Sequence, residues 1–382
     1  MVIEAIHFET NTPVTIGITD ELITDIRENP GSAKRENLLY AAPGLIDNQI
    51  NGYHGVDFSG DNLSADMVRQ AAEAIVRDGV TTFMPTLITN SHENLVRNFR
   101  ILAGSLKDPW LRETIPGFHL EGPYISPEEG FYGCHPAKYI RKPDWDEFVQ
   151  YQEAADGNII QVTLSPESEG AIGFIKKCTE NGIITALGHT NAPAGVIELA
   201  VRNGARISTH LGNGCANMIH RHNNPLWAQL DNDLLTPSLI ADGHHLLPEE
   251  IRVFHKVKGS DNIILTSDVT HLTGMNPGKY VYFGSEVVLT PDGLIKNPVL
   301  NCLAGASLPL TRGVGTMMSY TGCSPGEAIR MASANVARIY GLSDRGELAP
   351  GKKADIILFE LEENRIVIKE VIKSGRRLGD KR

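Results

Sequence analysis

Gly117-Phe118-His119-Leu120-Glu121-Gly122-Pro123-Tyr124 is an apolar run that carries a carboxylate to its tip and is stopped at once by Gly-Pro. A strand that presents an acidic side chain at its C-terminal end and then breaks is how a parallel α/β barrel builds a site. Two later runs end the same way in histidine: Ile183-Ile184-Thr185-Ala186-Leu187-Gly188-His189 and Ala205-Arg206-Ile207-Ser208-Thr209-His210. One carboxylate and two imidazoles at three strand tips form a ligand set for a divalent metal, with a coordination position left for water. The plain alternative is three unrelated polar residues closing three strands. Three coincidences on one working face argue against it.

Working outward, strand-like and helix-like patterns alternate. Strand runs fall near 45, 80, 115, 159, 183, 205, 238 and 262, and helical periodicity covers 64–77, 92–106, 144–155, 169–181, 193–203 and 248–258. Eight strand runs with helical segments between most of them predict a (β/α)8 TIM-type barrel. A doubly wound open sheet is the competing α/β reading, but no Gly-rich GxGxxG turn follows any strand. Long loops are expected over 125–143 and 211–235. After Asp268 a hairpin (280–283 with 287–289) precedes helices over 308–319 and 324–340. Both chain ends are β-rich, with a hairpin of 14–19 and 22–26 and a loop over 27–37. This predicts three segments: a small β-sandwich domain from 1–43 and 344–382, and a barrel over 44–343.

The chain has 382 residues, 41% of them hydrophobic and 21% charged, with a formal net charge of −11. That length suits one large barrel with a modest second domain. The acidic balance argues against a nucleic-acid partner, which calls for a basic patch. No run approaches the roughly 20 apolar residues of a membrane span. The N-terminus lacks the basic-then-apolar layout of a signal peptide, so a cytoplasmic location is expected. The five cysteines (134, 178, 215, 302 and 323) are scattered without a CxxC pair, so neither a disulfide framework nor a thiolate zinc site is signalled.

Asp268 ends the eighth strand, where a carboxylate can serve as base and then acid towards an activated water; a helix cap or loop ion pair is its plain alternative. Gln49 and Asn51 stand where two histidines would add a second metal. Amides are weak ligands, so these are vestigial second-metal positions and a single metal is expected. Zinc suits the donor set, although iron, manganese or cobalt also fit it. His135, His220, Arg221, His222, His244 and His245 lie on loops, where imidazoles bind hydroxyls, polarise carbonyls or attract anions. Cys134 and Cys215 lie near the site, but nothing adjacent makes them nucleophiles.

Six segments, in order, carry a resemblance: Pro43-Gly44-Leu45-Ile46-Asp47, His119-Leu120-Glu121-Gly122-Pro123, Gly188-His189-Thr190-Asn191-Ala192, Thr209-His210-Leu211, Ala241-Asp242-Gly243-His244-His245 and Thr266-Ser267-Asp268. Together with the closing Gly346-to-Asp355 run, the chain resembles the N-acetylglucosamine-6-phosphate deacetylases of the amidohydrolase superfamily over nearly its whole length. The resemblance implies Glu121, His189 and His210 as metal ligands and Asp268 as the catalytic acid/base. It implies that His135 holds the acetamide carbonyl. Cys134, Asn213, Gly214, Asp242, His244, His245, Leu303, Ala304 and Gly305 would line the substrate, and the protein would be a homodimer. Two departures stand out. The segment from Leu211 to Met218 is longer than the family's short Asn-Ala-Met. Asn223 falls nearest the family's phosphate-binding arginine, with Arg221 or His222 as substitutes, and an asparagine offers a neutral hydrogen bond where arginine offers a charged fork. The expected reaction is hydrolysis of an acetamide on an amino sugar, foremost N-acetylglucosamine-6-phosphate. The alternatives are an unphosphorylated or different N-acetyl amino sugar or N-acyl compound, and a non-catalytic barrel scaffold.

Overall fold

The computed structural model describes residues 1–29, 38–282 and 284–379. The loop expected over 27–37 lies largely outside them, as does Phe283. Eight parallel strands run in chain order round one sheet: Leu45–Ile50, Val80–Ile88, Phe118–Glu121, Ile159–Leu164, Ile184–Leu187, Ala205–Ser208, Thr236–Leu239 and Ile264–Leu265. The first and second are buried at every position, as strands sandwiched between a filled interior and a helical coat must be. The ring closes just past the eighth strand. Asn51 N donates to Val269 O at 2.8 Å and Asp268 N to Gln49 O at 3.1 Å. The barrel expectation is therefore met, strand for strand.

The helices start where short polar side chains can take the first free N–H groups. Ser64 caps Ala65–Arg77, Ser91 caps His92–Ser105 and Asp144 caps Trp145–Ala154. Ser324 forms a capping box with Glu327, with Pro325 at the first turn. The single helix expected over 324–340 is in fact two, Pro325–Met331 and Ala334–Ile339. Ala332 O accepts from Ile46 N of the first barrel strand at 2.8 Å instead of continuing the helical ladder. The 211–235 loop also contains a helix, Pro225–Asp231, capped by Asn224. The expected hairpin after Asp268 grows to four antiparallel strands, Gly278–Tyr282, Ser285–Leu289, Ile295–Asn297 and Cys302–Leu303. Leu272, Tyr282, Val287, Leu289, Ile295 and Ala304 give this insert its own small core.

The chain ends share one seven-stranded sheet. Tyr40–Pro43 lies between Val2–His7, to which it is parallel, and Ile356–Glu362, to which it is antiparallel. The sheet bends back on itself, because edge residue Leu22 bridges Lys353 beside the opposite half. Lys373 is buried there against Asp355 at 2.7 Å. Among the described residues no helix is long and apolar enough to cross a membrane.

Candidate active site

Three strand ends converge. His210 Nε2 lies 3.0 Å and His189 Nε2 3.4 Å from the same oxygen of Glu121, Oε1, and His135 Nε2 lies 3.9 Å from Oε2. All four side chains are buried. The ligand atoms of Glu121, His189 and His210 lie within 4.8 Å of one another. His189, His210 and Asp268 each take left-handed backbone angles (φ 52°, 30° and 51°). Such angles cost a non-glycine residue roughly 1–3 kcal/mol and persist only where neighbours over-determine them. Here they do: Ser126 N donates to His189 O, His210 N to Ser238 Oγ, Asp268 N to Gln49 O and Ala306 N to Asp268 O, all at 2.8–3.1 Å.

A cation fits this donor set. His189 Nδ1 lies 2.8 Å from Phe131 O, a carbonyl that can only accept. The Nδ1 proton is therefore committed, and neutral His189 turns a lone pair towards the Glu121 oxygen. Two lone pairs at 3.4 Å repel unless a positive charge lies between them. Burial pushes the Glu121 carboxyl up. The hydrogen bond and charge of His210, with the His135 imidazole beside it, outweigh that, and the group sits well below the ordinary carboxylate range. For His210 the balance is reversed: burial lowers it, and Glu121 with Asp268 raises it overall. The pocket is built for positive charge.

Asp268 faces the cluster and is held by Gln49 and Asn51. Gln49 Nε2 and Asn51 Nδ2 donate to its Oδ1 at 2.8 and 2.7 Å. No hydrogen bond occupies Oδ2 among the described residues. Burial, then the nearby Glu121 charge, raises its pKa to about 6 against the opposing pull of His210 and Asn51.

The loops lie over this floor. Gly214 backs onto both imidazoles: a Cβ there would fall 2.9 Å from His189 Nδ1 and 3.1 Å from His210 Cε1. Asn213 N donates to His210 O, and its side-chain nitrogen is buried without a partner. Asp242 accepts from the His244 and His245 backbones and pairs with His245 Nδ1 at 2.8 Å. Burial raises its carboxyl, but those contacts hold it below its ordinary value. His244 instead reaches the insert, with Nε2 3.0 Å from Asp292 O. Cys134 Sγ lies 3.4 Å from Leu303 O, and Ala304 N donates to Ile295 O. Gly305 packs against Thr270 and Asp268 O, where no Cβ fits. Arg221, His222 and Asn223 are exposed, and their hydrogen bonds stay within the loop: the His222 and Asn223 amides donate to His220 Nδ1, and Arg221 O accepts from Trp227. No hydrogen bond or ion pair links them to the Glu121 cluster among the described residues. Sequence reasoning missed Phe131 and Ser238, whose contributions are a backbone carbonyl and a supporting hydroxyl. It also missed Thr89, whose only signal is its place at the tip of the second strand.

A model of the amidohydrolase family matches residues 40–378. The N-acetylglucosamine-6-phosphate deacetylase of Bacillus subtilis is 30% identical over 90% of this chain and 88% of its own. An N-acetylgalactosamine-6-phosphate deacetylase of Escherichia coli O157:H7 is 29% identical over 90% and 89%. Among solved structures, a mutant N-acetyl-D-glucosamine-6-phosphate deacetylase of Mycobacterium smegmatis in complex with N-acetyl-D-glucosamine-6-phosphate superposes with a TM-score of 0.88, at 25% identity and 99% coverage of both chains.

Proposed function

Because the chain belongs to the amidohydrolase family, in its N-acetylglucosamine-6-phosphate deacetylase branch, we propose that it hydrolyses the acetamide of N-acetylglucosamine-6-phosphate to acetate and the free amino sugar phosphate. The observation that carries this reading is the pair of imidazole nitrogens on one Glu121 oxygen, with Asp268 held opposite by two amides. Glu121, His189 and His210 would hold one divalent cation, with zinc the best match to two imidazoles and a carboxylate. When bound, it supplies Lewis-acid activation of water and of an amide carbonyl.

The chain's own residues do the rest. Gln49 and Asn51 stabilise ionised Asp268 through Oδ1, which leaves Oδ2 to take a proton from the attacking water. Asp268 then returns that proton to the nitrogen as the C–N bond breaks, since an amine leaves poorly as an anion. His135 Nε2 opens on the same space and donates to the carbonyl oxygen as negative charge grows on it. We assign the sugar and its phosphate to Cys134, Asn213, Gly214, the Asp242–His245 turn, Leu303–Gly305 and the Arg221–Asn223 rim. The reading includes a homodimer, for which exposed Met218 and Trp227 on the 211–235 segment offer apolar surface. It also includes a cytoplasmic location, where a phosphorylated sugar is met.

The experiment is acetate release by zinc-loaded protein, with N-acetylglucosamine-6-phosphate, N-acetylgalactosamine-6-phosphate and N-acetylglucosamine compared at equal concentration. Preference for the first is expected. A higher rate on the unphosphorylated sugar would show that the rim reads another group, and no acetate from any of the three would refute the deacetylase reading.

A further inference from the structure

Three imidazoles surround the Glu121 carboxylate, yet the proposed function uses two as ligands and one as a donor. For His189 and His135 the partner of Nδ1 separates those roles; His210 Nδ1 is buried without a hydrogen-bond partner among the described residues. A neutral imidazole carries one proton; a partner that can only accept draws it to Nδ1, and a partner that donates sends it to Nε2. His189 has a carbonyl partner, Phe131 O, so its Nε2 is a lone pair fit to bind a cation. His135 has a hydroxyl partner, Thr89 Oγ1, at 2.8 Å.

A hydroxyl can give or take, so its surroundings decide. Thr89 is fully buried just past Val80–Ile88. Its hydroxyl makes no other hydrogen bond among the described residues. If it accepted from Nδ1, its own proton would be stranded in the interior, at a cost of roughly 1–3 kcal/mol. Donation to Nδ1 removes that cost and leaves the His135 proton on Nε2. The approach is close enough to constrain the backbone: a Cβ on Gly122, next to Glu121, would fall 2.2 Å from Thr89 Oγ1. This explains a glycine at that point of the motif beyond its left-handed φ of 78°.

We infer that Thr89 is a positioning residue: by donating to His135 Nδ1 it holds the proton on Nε2, which excludes His135 as a third imidazole ligand and aims an N–H at the substrate carbonyl oxygen. The inference rests on the deacetylase reading for the identity of that carbonyl, but the tautomer itself does not depend on it.

The test is nitrogen NMR of the full chain with 15N-labelled imidazoles, the His135 signals being identified by their loss in His135→Gln, together with steady-state acetate release. In the wild type Nδ1 is expected to be pyridine-like and Nε2 pyrrole-like. Thr89→Val, which keeps the shape and removes the hydroxyl, should lose that preference. Its kcat should fall roughly 10- to 100-fold with KM and metal content little changed. Thr89→Ser should recover both the spectrum and most of the rate. A pyrrole-like Nδ1 in the wild type, or wild-type turnover by Thr89→Val, would overturn the inference. A wild-type protein that releases no acetate would count against the deacetylase reading instead, and the spectrum would still decide the tautomer.

Discussion

The floor of the site and its rim are built by different means. On the floor, Glu121, His189, His210 and Asp268 stand at or just past strand ends, are buried, and are tied to the neighbouring strand or to amide and carbonyl groups fixed by it. On the rim, Arg221, His222 and Asn223 are exposed and held by their own loop. Barrel closure fixes the floor through hydrogen bonds from adjacent strands, as acid–base and metal chemistry demand. A rim that recognised a sugar or its phosphate would need no such frame, because such recognition tolerates side chains that settle around the ligand. The difference implies that substitutions on the floor change turnover, whereas substitutions on the rim change which substrate is preferred.

The largest expected effect is at Asp268. Asp268→Asn keeps the shape but cannot take a proton, so turnover should fall by roughly 10²- to 10⁴-fold while zinc content stays equal to wild type by atomic absorption. Near-normal turnover would remove the acid/base assignment. Next is Gly214→Ala, the point where rim meets floor. Its Cβ would press on His189 and His210 from a backbone at φ 59°, so zinc affinity should weaken roughly 10- to 100-fold in a chelator competition. Unchanged affinity would mean that the loop yields to the floor rather than confining it.

A smaller, signed effect is expected in the pH profile. The base must be ionised, and the Asp268 pKa is raised to about 6, so kcat/KM should drop as pH falls through or below that value. A cation bound at Glu121 would move the limb lower still. Asn51→Leu removes a donor that favours the ionised form, and the acid limb should move up by about one pH unit. A limb that stays put or moves down would contradict that role for Asn51. The smallest effect belongs to the rim: Arg221→Ala should raise KM for the phosphorylated sugar by no more than about fivefold and leave kcat alone, as for an exposed charge contact. A loss in kcat would place Arg221 on the floor after all.

Much of this is legible in the sequence. Periodicity marked all eight barrel strands, because a parallel strand buried on both faces reads as a short apolar run between breakers. Ser64, Ser91 and Ser324 cap their helices through local chemistry that needs no tertiary context. The break between Met331 and Ala334 was not legible: a distant N–H, that of Ile46, captures Ala332 O. Pro225–Asp231 was hidden because a seven-residue helix carries too few turns for its period to stand out from a loop. The four-stranded insert was seen only as a hairpin, since Ile295–Asn297 and Cys302–Leu303 are too short to show alternation.

For the site, residue types and their order along the chain were enough to nominate Glu121, His189, His210 and Asp268, because a strand tip followed by a breaker is a local pattern. Their roles towards one another were not available from that pattern. Gln49 and Asn51 read as positions emptied of metal ligands; folded, they are the amides that hold Asp268. By its loop position His135 read as a histidine able to polarise a carbonyl, and the resemblance gave it the acetamide; what distinguishes it from His189 in the fold is a threonine hydroxyl against a backbone carbonyl at Nδ1. By itself the sequence determined the barrel, the chemical elements of the site and their order. Only the tertiary structure decided which proton sits on which nitrogen and which oxygen is left open, because hydrogen-bond direction depends on partners 46 to 219 residues apart that meet only when the barrel closes.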